Sequence, residues 1–394
     1  MISMTEKLLE QFKQIFKTDQ SVRAFFAPGR VNLIGEHTDY NGGHVFPCAL
    51  TFGTYALVGP RNDQTIRMYS MNFPDVGVIE LSVKDQLELQ KEHDWANYPK
   101  GVIKEFIDRG VQLETGFDVL FYGNIPNGAG LSSSASIELV TAVALQSMLE
   151  TPFSRVDLVK MSQHAENEFI GVSCGIMDQF AIGMGKEDHA ILLNCQTLDY
   201  QYSPIVLENA SLVIANTNKR RTLADSKYNE RRSECERALL QLQRELSIQS
   251  LGDLTPEQFE NHRHLIGNEI DQKRAKHAVY ENARTLLAVE KLQQGDIKSF
   301  GQLMCDSHTS LRDDYEVTGF ELDTLVEAAL SQDGVIGSRM TGAGFGGCTV
   351  SIVENDKIDE FIEEVGRLYN EKTGLTADFY VANVGDGAKE INMN

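Results

Sequence analysis

Two periods of apolar residues run along this chain, and together they predict a mixture of helices and strands. Apolar residues at helical spacing predict the helices, which cover residues 5–16, 95–107, 137–149, 155–170, 324–330 and 358–369. Shorter apolar runs rich in β-branched and aromatic residues predict the strands, which cover residues 22–27, 50–58, 63–69, 117–122, 190–193, 211–216, 335–340, 349–353 and 377–384. A break near Ser203-Pro204 predicts two domains, residues 1–205 and 206–394.

The helix over residues 137–149 is apolar on nearly every face, and a glycine- and serine-rich stretch leads into it. The stretch reads Pro126-Asn127-Gly128-Ala129-Gly130-Leu131-Ser132, followed by Ser133 and Ser134. The start of a buried helix has unpaired N–H groups and the positive end of the helix dipole, so it needs a cap or an anion. The glycines allow a bulky group to approach the backbone, which predicts a phosphate site. A glycine-rich turn with serine as the N-cap is the alternative.

Other phosphate-binding motifs fit this stretch poorly. A Walker A loop needs Gly-Lys-Ser or Gly-Lys-Thr, and the chain contains neither triplet. The third glycine of a dinucleotide-binding fingerprint is replaced by Ser133. The catalytic-loop and Asp-Phe-Gly motifs of protein kinases are also absent from the sequence. A phosphate loop of another kind remains.

A second unusual segment, residues 29–43, contains four glycines together with Glu36-His37-Thr38-Asp39. Such a segment predicts a loop with converging polar groups. Carboxylates accept pairs of hydrogen bonds from neighbouring hydroxyls, and histidine can donate or accept, so these four residues predict a sugar site. A metal cluster is the alternative, although the His-Glu-x-x-His spacing is missing. Turn capping explains one or two of these side chains, not four.

Two isolated acids are further candidates for chemistry. Glu166 lies at the edge of the apolar face of the helix over residues 155–170, where it is either a surface acid or a ligand that points into a cleft. Asp178 lies between Met177 and Phe180, where a carboxylate is costly unless it caps a helix or takes part in a reaction. Both alternatives stay open for each acid.

Composition limits the kinds of partner that the protein can bind and the cellular compartment in which we expect it. The 394 residues carry 36 Lys and Arg against 57 Asp and Glu, a net charge of −21, which argues against nucleic-acid and anionic-membrane partners. The six cysteines show no metal-binding spacing and predict reduced thiols. No apolar run has the length of a membrane span or a signal core, so we expect a cytoplasmic protein.

Three segments in fixed order resemble one protein family. Residues 29–42 resemble the galactokinase signature, residues 126–136 are similar to the phosphate loop of the GHMP small-molecule kinases, and residues 341–347 are similar to the third motif of those kinases. The resemblance implies an α+β fold of two domains. The first would be like ribosomal protein S5 and the second ferredoxin-like, with the active site in the cleft between them.

The resemblance also implies cofactors, a substrate and residue roles. It implies ATP and Mg²⁺ as cofactors, galactose as substrate and a monomer. Asp178 would be the catalytic base and Arg30 the transition-state stabiliser, while Ser132 and Glu166 would bind the Mg²⁺. The implied binding residues are Glu36, His37, Thr38, Asp39 and Tyr228 for the sugar, and Ser70, Pro126, Asn127, Gly128, Ala129, Gly130, Leu131 and Ser132 for the nucleotide.

The implied reaction is phosphoryl transfer from MgATP to the anomeric hydroxyl of D-galactose. A kinase for N-acetylgalactosamine would share all three motifs. A non-catalytic sugar sensor is an alternative of another class, but the serine loop is damaged in such relatives and Ser132-Ser133-Ser134-Ala135-Ser136 is intact here. A scaffolding protein would leave Asp178 and the two glycine loops unexplained.

Overall fold

A computed structural model describes residues 3–126, 129–219 and 224–393, without the side chains of residues 224–226. Each helix predicted by range overlaps an α-helix of the structure, which has further helices between residues 177 and 313. In chain order the α-helices are α1 (Met4–Phe16), α2 (Asn97–Asp108), α3 (Ser133–Leu149), α4 (Arg155–His164), α5 (Met177–Met184), α6 (Ala224–Leu242), α7 (Pro256–His262), α8 (Glu269–Gln293), α9 (Ile297–Asp313), α10 (Gly319–Leu330) and α11 (Ile358–Thr373).

The strands form three sheets. They are β1 (Arg23–Asn32), β2 (His44–Val45), β3 (Pro47–Pro60), β4 (Thr65–Ser70), β5 (Ile79–Ser82), β6 (Phe117–Gly123), β7 (His189–Asn194), β8 (Tyr200–Pro204), β9 (Ala210–Asn216), β10 (Val335–Thr341), β11 (Cys348–Glu354), β12 (Asp378–Ala382) and β13 (Lys389–Ile391). The largest sheet has the order β13-β1-β3-β6-β4-β5, the second the order β10-β11-β9-β12, and the small third sheet the order β2-β7-β8.

The first strand continues beyond its predicted end. The sequence predicts that Pro28-Gly29 ends the strand, but β1 runs on to Asn32. The register against β3 shifts between Pro28 and Arg30, which marks a bulge. A bulge accommodates a proline and re-aims the side chain that follows. The prediction that residues 29–32 belong to a loop is therefore wrong, and Arg30 projects from a strand.

Helices cover both faces of the six-stranded sheet. Helix α3 packs on β1 and β3 and also contacts α2 and α4, which explains why it is apolar on nearly every face. Helix α1 places Phe12 and Phe16 against Leu57 and Leu120 on the opposite face. Helix α3, which follows the glycine- and serine-rich stretch, is therefore held by the sheet on one side and by other helices around it.

The predicted helix over residues 155–170 changes its winding partway along. It is α-helical to His164 and then forms a π-helical turn, Ala165–Ile170. π-Helical turns insert an extra residue and often occur at functional sites. Glu166 lies on this turn.

Buried residues from the two halves of the chain pack together in one hydrophobic core. A cluster of buried residues joins Val31, Leu33 and Phe46 of the first half to Ile214 and Val350 of the second sheet. In addition β13 returns to pair with β1, so the last strand belongs to the first sheet. The division into domains of residues 1–205 and 206–394 stays a prediction. Strand β13 departs from it, because this strand of the second half belongs to the first sheet. No helix in the described ranges combines the length and apolar composition needed to cross a membrane.

Candidate active site

A cavity of about 290 Å³ lies where the two halves meet. Its walls come from the loop of residues 33–43 (the acidic loop), from the segment between α4 and α5, from α6 and from the glycine loop between β10 and β11. The lining residues with polar side chains are Arg30, Glu36, His37, Asp39, Glu166, Cys174, Asp178, Tyr228 and Asn229. Four carboxylates against one guanidinium favour a ligand rich in hydroxyl donors or a cation.

Arg30 and Asp178 form a two-pronged ion pair at this cavity. Arg30 Nε donates to Asp178 Oδ1 at 2.9 Å and Nη2 donates to Oδ2 at 3.1 Å. Arg30 Nη1 donates to the Gly130 carbonyl at 2.9 Å, which ties the pair to the phosphate loop. Burial lowers the pKa of Arg30, but the carboxylates of Asp178 and Glu36 outweigh it and raise that pKa above its usual range. The Asp178 side chain is still 29% exposed, although its Arg30 partner is buried.

The serine run places its hydroxyls on different acids. Ser132 has a left-handed backbone with φ 63°, and its Oγ donates to Asp178 Oδ2. Ser134 hydrogen-bonds to Glu166, which lowers the pKa of Glu166. The hydroxyl that bonds to Glu166 thus belongs to Ser134. The metal-binding role of Ser132 stays a prediction. The sequence does not tell which of three consecutive hydroxyls at a helix start faces which neighbour.

Glu166 is a buried acid with hydrogen-bond donors on one side. Its Oε2 accepts from Gln179 Nε2 at 2.6 Å and from Cys174 Sγ at 3.5 Å. Burial and the charge of Asp178 raise the pKa of Glu166 to about 7. Gln179 Nε2 also donates to Glu138 Oε2 at 3.2 Å, and burial raises the pKa of Glu138 well above its usual range. Sequence reasoning missed Ser134, Glu138 and Gln179.

These acids satisfy the requirements of a magnesium site but not of a many-ligand metal cluster. Among the described residues, no three or more His, Cys, Asp and Glu side chains converge as a metal site would require. Magnesium binds through one or two protein groups and retains waters and phosphate oxygens. The Ser134–Glu166 pair, next to the further carboxylates of Glu138 and Asp178, is a donor set of that kind.

The acidic loop presents its two carboxylates differently. Glu36 is 1% exposed, and its Oε1 accepts from the Gly342 N–H at 2.7 Å and from Thr341 Oγ1 at 3.1 Å. Burial, with the charges of Asp178 and Glu36, raises the pKa of Asp39 to about 6. Both carboxylates line the cavity.

Hydrogen bonds within the protein fix the orientation of the His37 ring, and burial keeps the ring neutral. Its Nε2 lies 3.2 Å from the Ala343 carbonyl, which can only accept, so Nε2 carries the proton. The other ring nitrogen, Nδ1, then accepts from the Tyr40 hydroxyl at 2.8 Å. Burial lowers the pKa of His37 to about 3. With both nitrogens engaged, the ring of His37 forms a wall of the cavity beside Tyr228, at 5.7 Å between ring centroids.

Thr38 does not lie at the cavity. Its Oγ1 lies 2.9 Å from the Gly35 carbonyl and 2.7 Å from the His44 carbonyl, inside the loop. The hydroxyl is used to fold the acidic loop, so the geometry does not support the predicted sugar contact of Thr38.

A second cavity, of about 220 Å³, lies on the other side of the serine run. Its lining residues include Ser70, Trp95, Tyr98, Ser133 and Ser134. Because Ser134 lines this cavity and Glu166 lines the first, the hydrogen bond between them marks the place where the two cavities meet. A two-substrate site requires such a junction.

Sequence models and related proteins now identify the family. Residues 10–60 match the "Galactokinase galactose-binding signature", residues 97–186 match "GHMP kinases N terminal domain" and residues 288–371 match "GHMP kinases C terminal". A galactokinase of Fusobacterium nucleatum is 62% identical over 389 residues, covering 98% of this chain and 100% of the relative. A galactokinase of Bacillus subtilis is 62% identical over 388 residues, covering 98% and 99%. The chain belongs to the galactokinase family.

Solved structures agree with this galactokinase assignment. The crystal structure of Lactococcus lactis galactokinase complexed with galactose superposes with a TM-score of 0.97 at 48% identity, covering 99% of this chain and 100% of that chain. The mevalonate kinase of Methanococcus jannaschii superposes with a TM-score of 0.63 at 19% identity, covering 95% and 100%. The second match shows the fold alone, and that fold is the two-domain α+β fold of GHMP kinases.

Within this galactokinase fold, the predicted residues lie in several different places. Those that line the first cavity are Arg30, Glu36, His37, Asp39, Glu166, Asp178 and Tyr228. Ser70 lines the second cavity, while Gly130 and Ser132 bond to the Arg30–Asp178 pair. Ala129 and Leu131 are buried apolar residues of the shared core. The Pro126 carbonyl accepts from the Ala129 N–H at 3.3 Å, and Asn127 and Gly128 lie outside the described residues.

Proposed function

We propose that this galactokinase-family protein transfers the γ-phosphoryl group of MgATP to the anomeric hydroxyl of galactose, which yields galactose 1-phosphate and ADP. The observation that carries the proposal is the junction of the two cavities at the Ser134–Glu166 hydrogen bond, with the Arg30–Asp178 ion pair beside it. Phosphoryl transfer depends mainly on positioning and on neutralising charge, and this junction offers groups for both.

The first cavity would bind the sugar. Glu36 and Asp39 can each accept hydrogen bonds from neighbouring hydroxyls of a pyranose ring. Tyr228 and the ring of His37 add flat walls against which C–H groups of a sugar can pack. The galactose in the Lactococcus lactis relative supports this choice of ligand.

The second cavity would bind the nucleotide. Trp95 and Tyr98 offer aromatic surface to a base, and Ser70 offers a hydroxyl. The phosphates would extend toward the N-terminus of α3, where backbone N–H groups and the helix dipole favour negative charge. This direction leads from the base to the Ser134–Glu166 junction.

Ser134 and Glu166 would hold the magnesium ion. When bound, magnesium neutralises charge on the β- and γ-phosphates. The protein's part is to supply one hydroxyl and one carboxylate, with Gln179 and Cys174 orienting the latter. The burial of two neighbouring acids, Glu138 and Glu166, which raises the pKa of both, supports this assignment.

Asp178 would accept the proton of the anomeric hydroxyl as its oxygen attacks the γ-phosphorus and the bond to ADP breaks. The Arg30 guanidinium holds the Asp178 carboxylate through two hydrogen bonds. It would also stabilise the negative charge that develops on the transferring group. Ser132 donates to the same carboxylate and fixes its orientation. We also propose that the enzyme acts as a cytoplasmic monomer, in keeping with its net charge of −21.

The test is turnover on a panel of sugars. ADP release should require galactose and a divalent metal, and phosphorus NMR should show the new phosphate on the anomeric carbon. Faster turnover on N-acetylgalactosamine would change the substrate assignment. Galactose binding without ADP release under any metal would instead identify a non-catalytic sensor.

A further inference from the structure

The acidic loop of the first half is held in place by buried side chains of the second half. The Gly35 N–H donates to Glu281 Oε1 at 3.0 Å, and the Glu36 carbonyl lies 3.1 Å from His277 Nε2. Both partners come from α8. A third support acts at the end of β1, immediately before the loop, where Arg339 Nη1 of β10 donates to the Asn32 carbonyl at 2.9 Å.

Arg339 is an unusual member of this set because it is a fully buried cation. It is 0% exposed, and its Nη1 and Nη2 both lie 3.5 Å from Glu36 Oε1. This distance is at the long limit of a hydrogen bond, so the contact is mainly ionic. Arg339 Nε and Nη2 have no hydrogen-bond partner among the described residues. A buried guanidinium needs a counter-charge, and Glu36 supplies the carboxylate beside it.

The contact acts on one edge of the Glu36 carboxylate. Oε1 receives the Gly342 N–H, the Thr341 hydroxyl and the Arg339 charge, all from β10 or from the glycine loop that follows it. Glu36 nevertheless lines the sugar cavity. Residues of the second half therefore hold Oε1 of the carboxylate, and these contacts set the orientation of Glu36 at the cavity.

We infer that Arg339 is a positioning residue for sugar binding, which holds the Glu36 carboxylate in its orientation at the cavity from the opposite half of the chain. The inference rests on the proposed function, in which Glu36 accepts hydrogen bonds from the sugar. A purely structural arginine would contribute to stability only. A positioning arginine also sets the affinity for the sugar, while the nucleotide is unaffected because it binds in the other cavity.

The test compares Arg339→Lys and Arg339→Met with wild type and with Glu36→Gln. We expect the KM for galactose to rise about ten-fold in Arg339→Lys and further in Arg339→Met, the size of a lost supporting contact. The KM for ATP should stay within about two-fold of wild type in both. Galactose affinity measured by calorimetry without nucleotide should fall in parallel. Lysine keeps the charge but loses the planar fork. We therefore expect Arg339→Lys to retain a higher galactose affinity than Arg339→Met.

Arg274→Lys and Arg274→Met are matched controls. Arg274 is also a buried arginine, and its Nε donates to the buried carboxylate of Glu234 at 2.8 Å, away from the cavity. The Arg274 variants should lose stability without a change in the KM for galactose. An equal rise of that KM in both pairs of variants would overturn the inference, because the effect would then follow from lost stability.

A double variant tests the ion pair itself. Arg339→Met leaves Glu36 buried without its counter-charge, so adding Glu36→Gln should raise the melting temperature above that of Arg339→Met alone, without restoring galactose affinity. A further fall in melting temperature would contradict the pairing. If Arg339→Met does not fold, Arg339→Lys decides: an unchanged galactose KM overturns the inference.

Failure of the inference and failure of the proposed function give different results. If wild type does not phosphorylate galactose, the proposed function is wrong and the inference falls with it. If wild type is active and Glu36→Gln raises the KM for galactose while the Arg339 variants do not, only the role of Arg339 is wrong.

Discussion

At the scale of single residues, the site depends on which hydroxyl of the serine run faces which carboxylate. Ser132 donates to Asp178, and Ser134 hydrogen-bonds to Glu166. Consecutive residues of a helix differ in direction by about 100°, so neighbouring hydroxyls reach different partners. The sequence identifies the run of serines, but which hydroxyl faces which carboxylate depends on the position of α3 relative to α5 and the π-helical turn.

The two serines should therefore differ in their effect on the metal. We expect Ser134→Ala to raise the magnesium concentration needed for half-maximal turnover about ten-fold. Ser132→Ala should leave that concentration within about two-fold and act on kcat through Asp178. Turnover measured against magnesium at saturating ATP and galactose checks this. The reverse order would support the sequence-based prediction that Ser132 is the metal ligand.

A second residue-scale prediction concerns acid stability. Burial lowers the pKa of His277 to about 4, so the unfolded chain takes up a proton before the folded protein does as pH falls below the usual value of 6.5. The stabilising contribution is complete above that pH and is lost toward pH 4, by about 1 kcal/mol at pH 5.5. In His277→Gln, which retains a donor for the Glu36 carbonyl, this loss is absent.

The measurement is the free energy of unfolding in urea at pH 7.5 and 5.5 for both proteins. Wild type should lose about 1 kcal/mol more than His277→Gln over that interval. The acids with raised pKa, Asp39 and Glu166, act in the opposite direction in both proteins, so they cancel in the comparison. Equal losses would show that His277 does not titrate in this way.

At the scale of elements, the turn before α5 packs tightly against the acidic loop. A Cβ atom placed on Gly175 would lie 1.8 Å from Asp39 Oδ2. The lack of a side chain at Gly175 therefore lets the Asp39 carboxylate reach the cavity. The sequence shows the glycine but not its partner, since the two residues are 136 positions apart (175 − 39).

Gly175→Ala should displace Asp39 and weaken the binding of the sugar without affecting the nucleotide. We expect the KM for galactose to rise about ten-fold or more, which corresponds to about 1.4 kcal/mol, with the KM for ATP unchanged. Gly267→Ala is the control, since a Cβ there meets only Gln241 Oε1 at an ordinary 3.6 Å. An unaltered galactose KM in Gly175→Ala would mean that Asp39 has room to move or does not contact the sugar.

Other elements show where sequence patterns succeed and where they fail. The helices α3 and α10 and the strands β6 and β11 follow from periodicity because each buries a continuous apolar face. The bulge in β1 at Pro28 and the π-helical turn at Glu166 do not, because tertiary packing overrides local preference there. Both irregular places carry site residues, which agrees with strain and irregularity collecting at functional sites.

At the scale of the whole molecule, the site exists only because the halves of the chain meet. Arg30, Glu36 and Asp178 come from the first half, while Tyr228 and the Gly342–Ala343 backbone come from the second. Motif resemblance predicts this assembly, but periodicity alone does not, since contacts between distant segments leave no local pattern. Glu138 and Gln179 were missed for the same reason: a buried acid and amide inside apolar helices gain meaning only from their neighbours.

The central claim is that Arg30 and Asp178 act as one unit in the transfer step. The most direct measurement is kcat/KM for wild type, Arg30→Lys, Asp178→Asn and the double variant, with galactose affinity measured separately by calorimetry. Asp178→Asn should lower kcat by about 10³-fold, within the range for a lost general base, and leave galactose affinity within a few-fold of wild type. Because residues that act together are not additive, the double variant should be little worse than Asp178→Asn. Fully multiplicative losses, or an Asp178→Asn enzyme that retains most of its turnover, would contradict the claim.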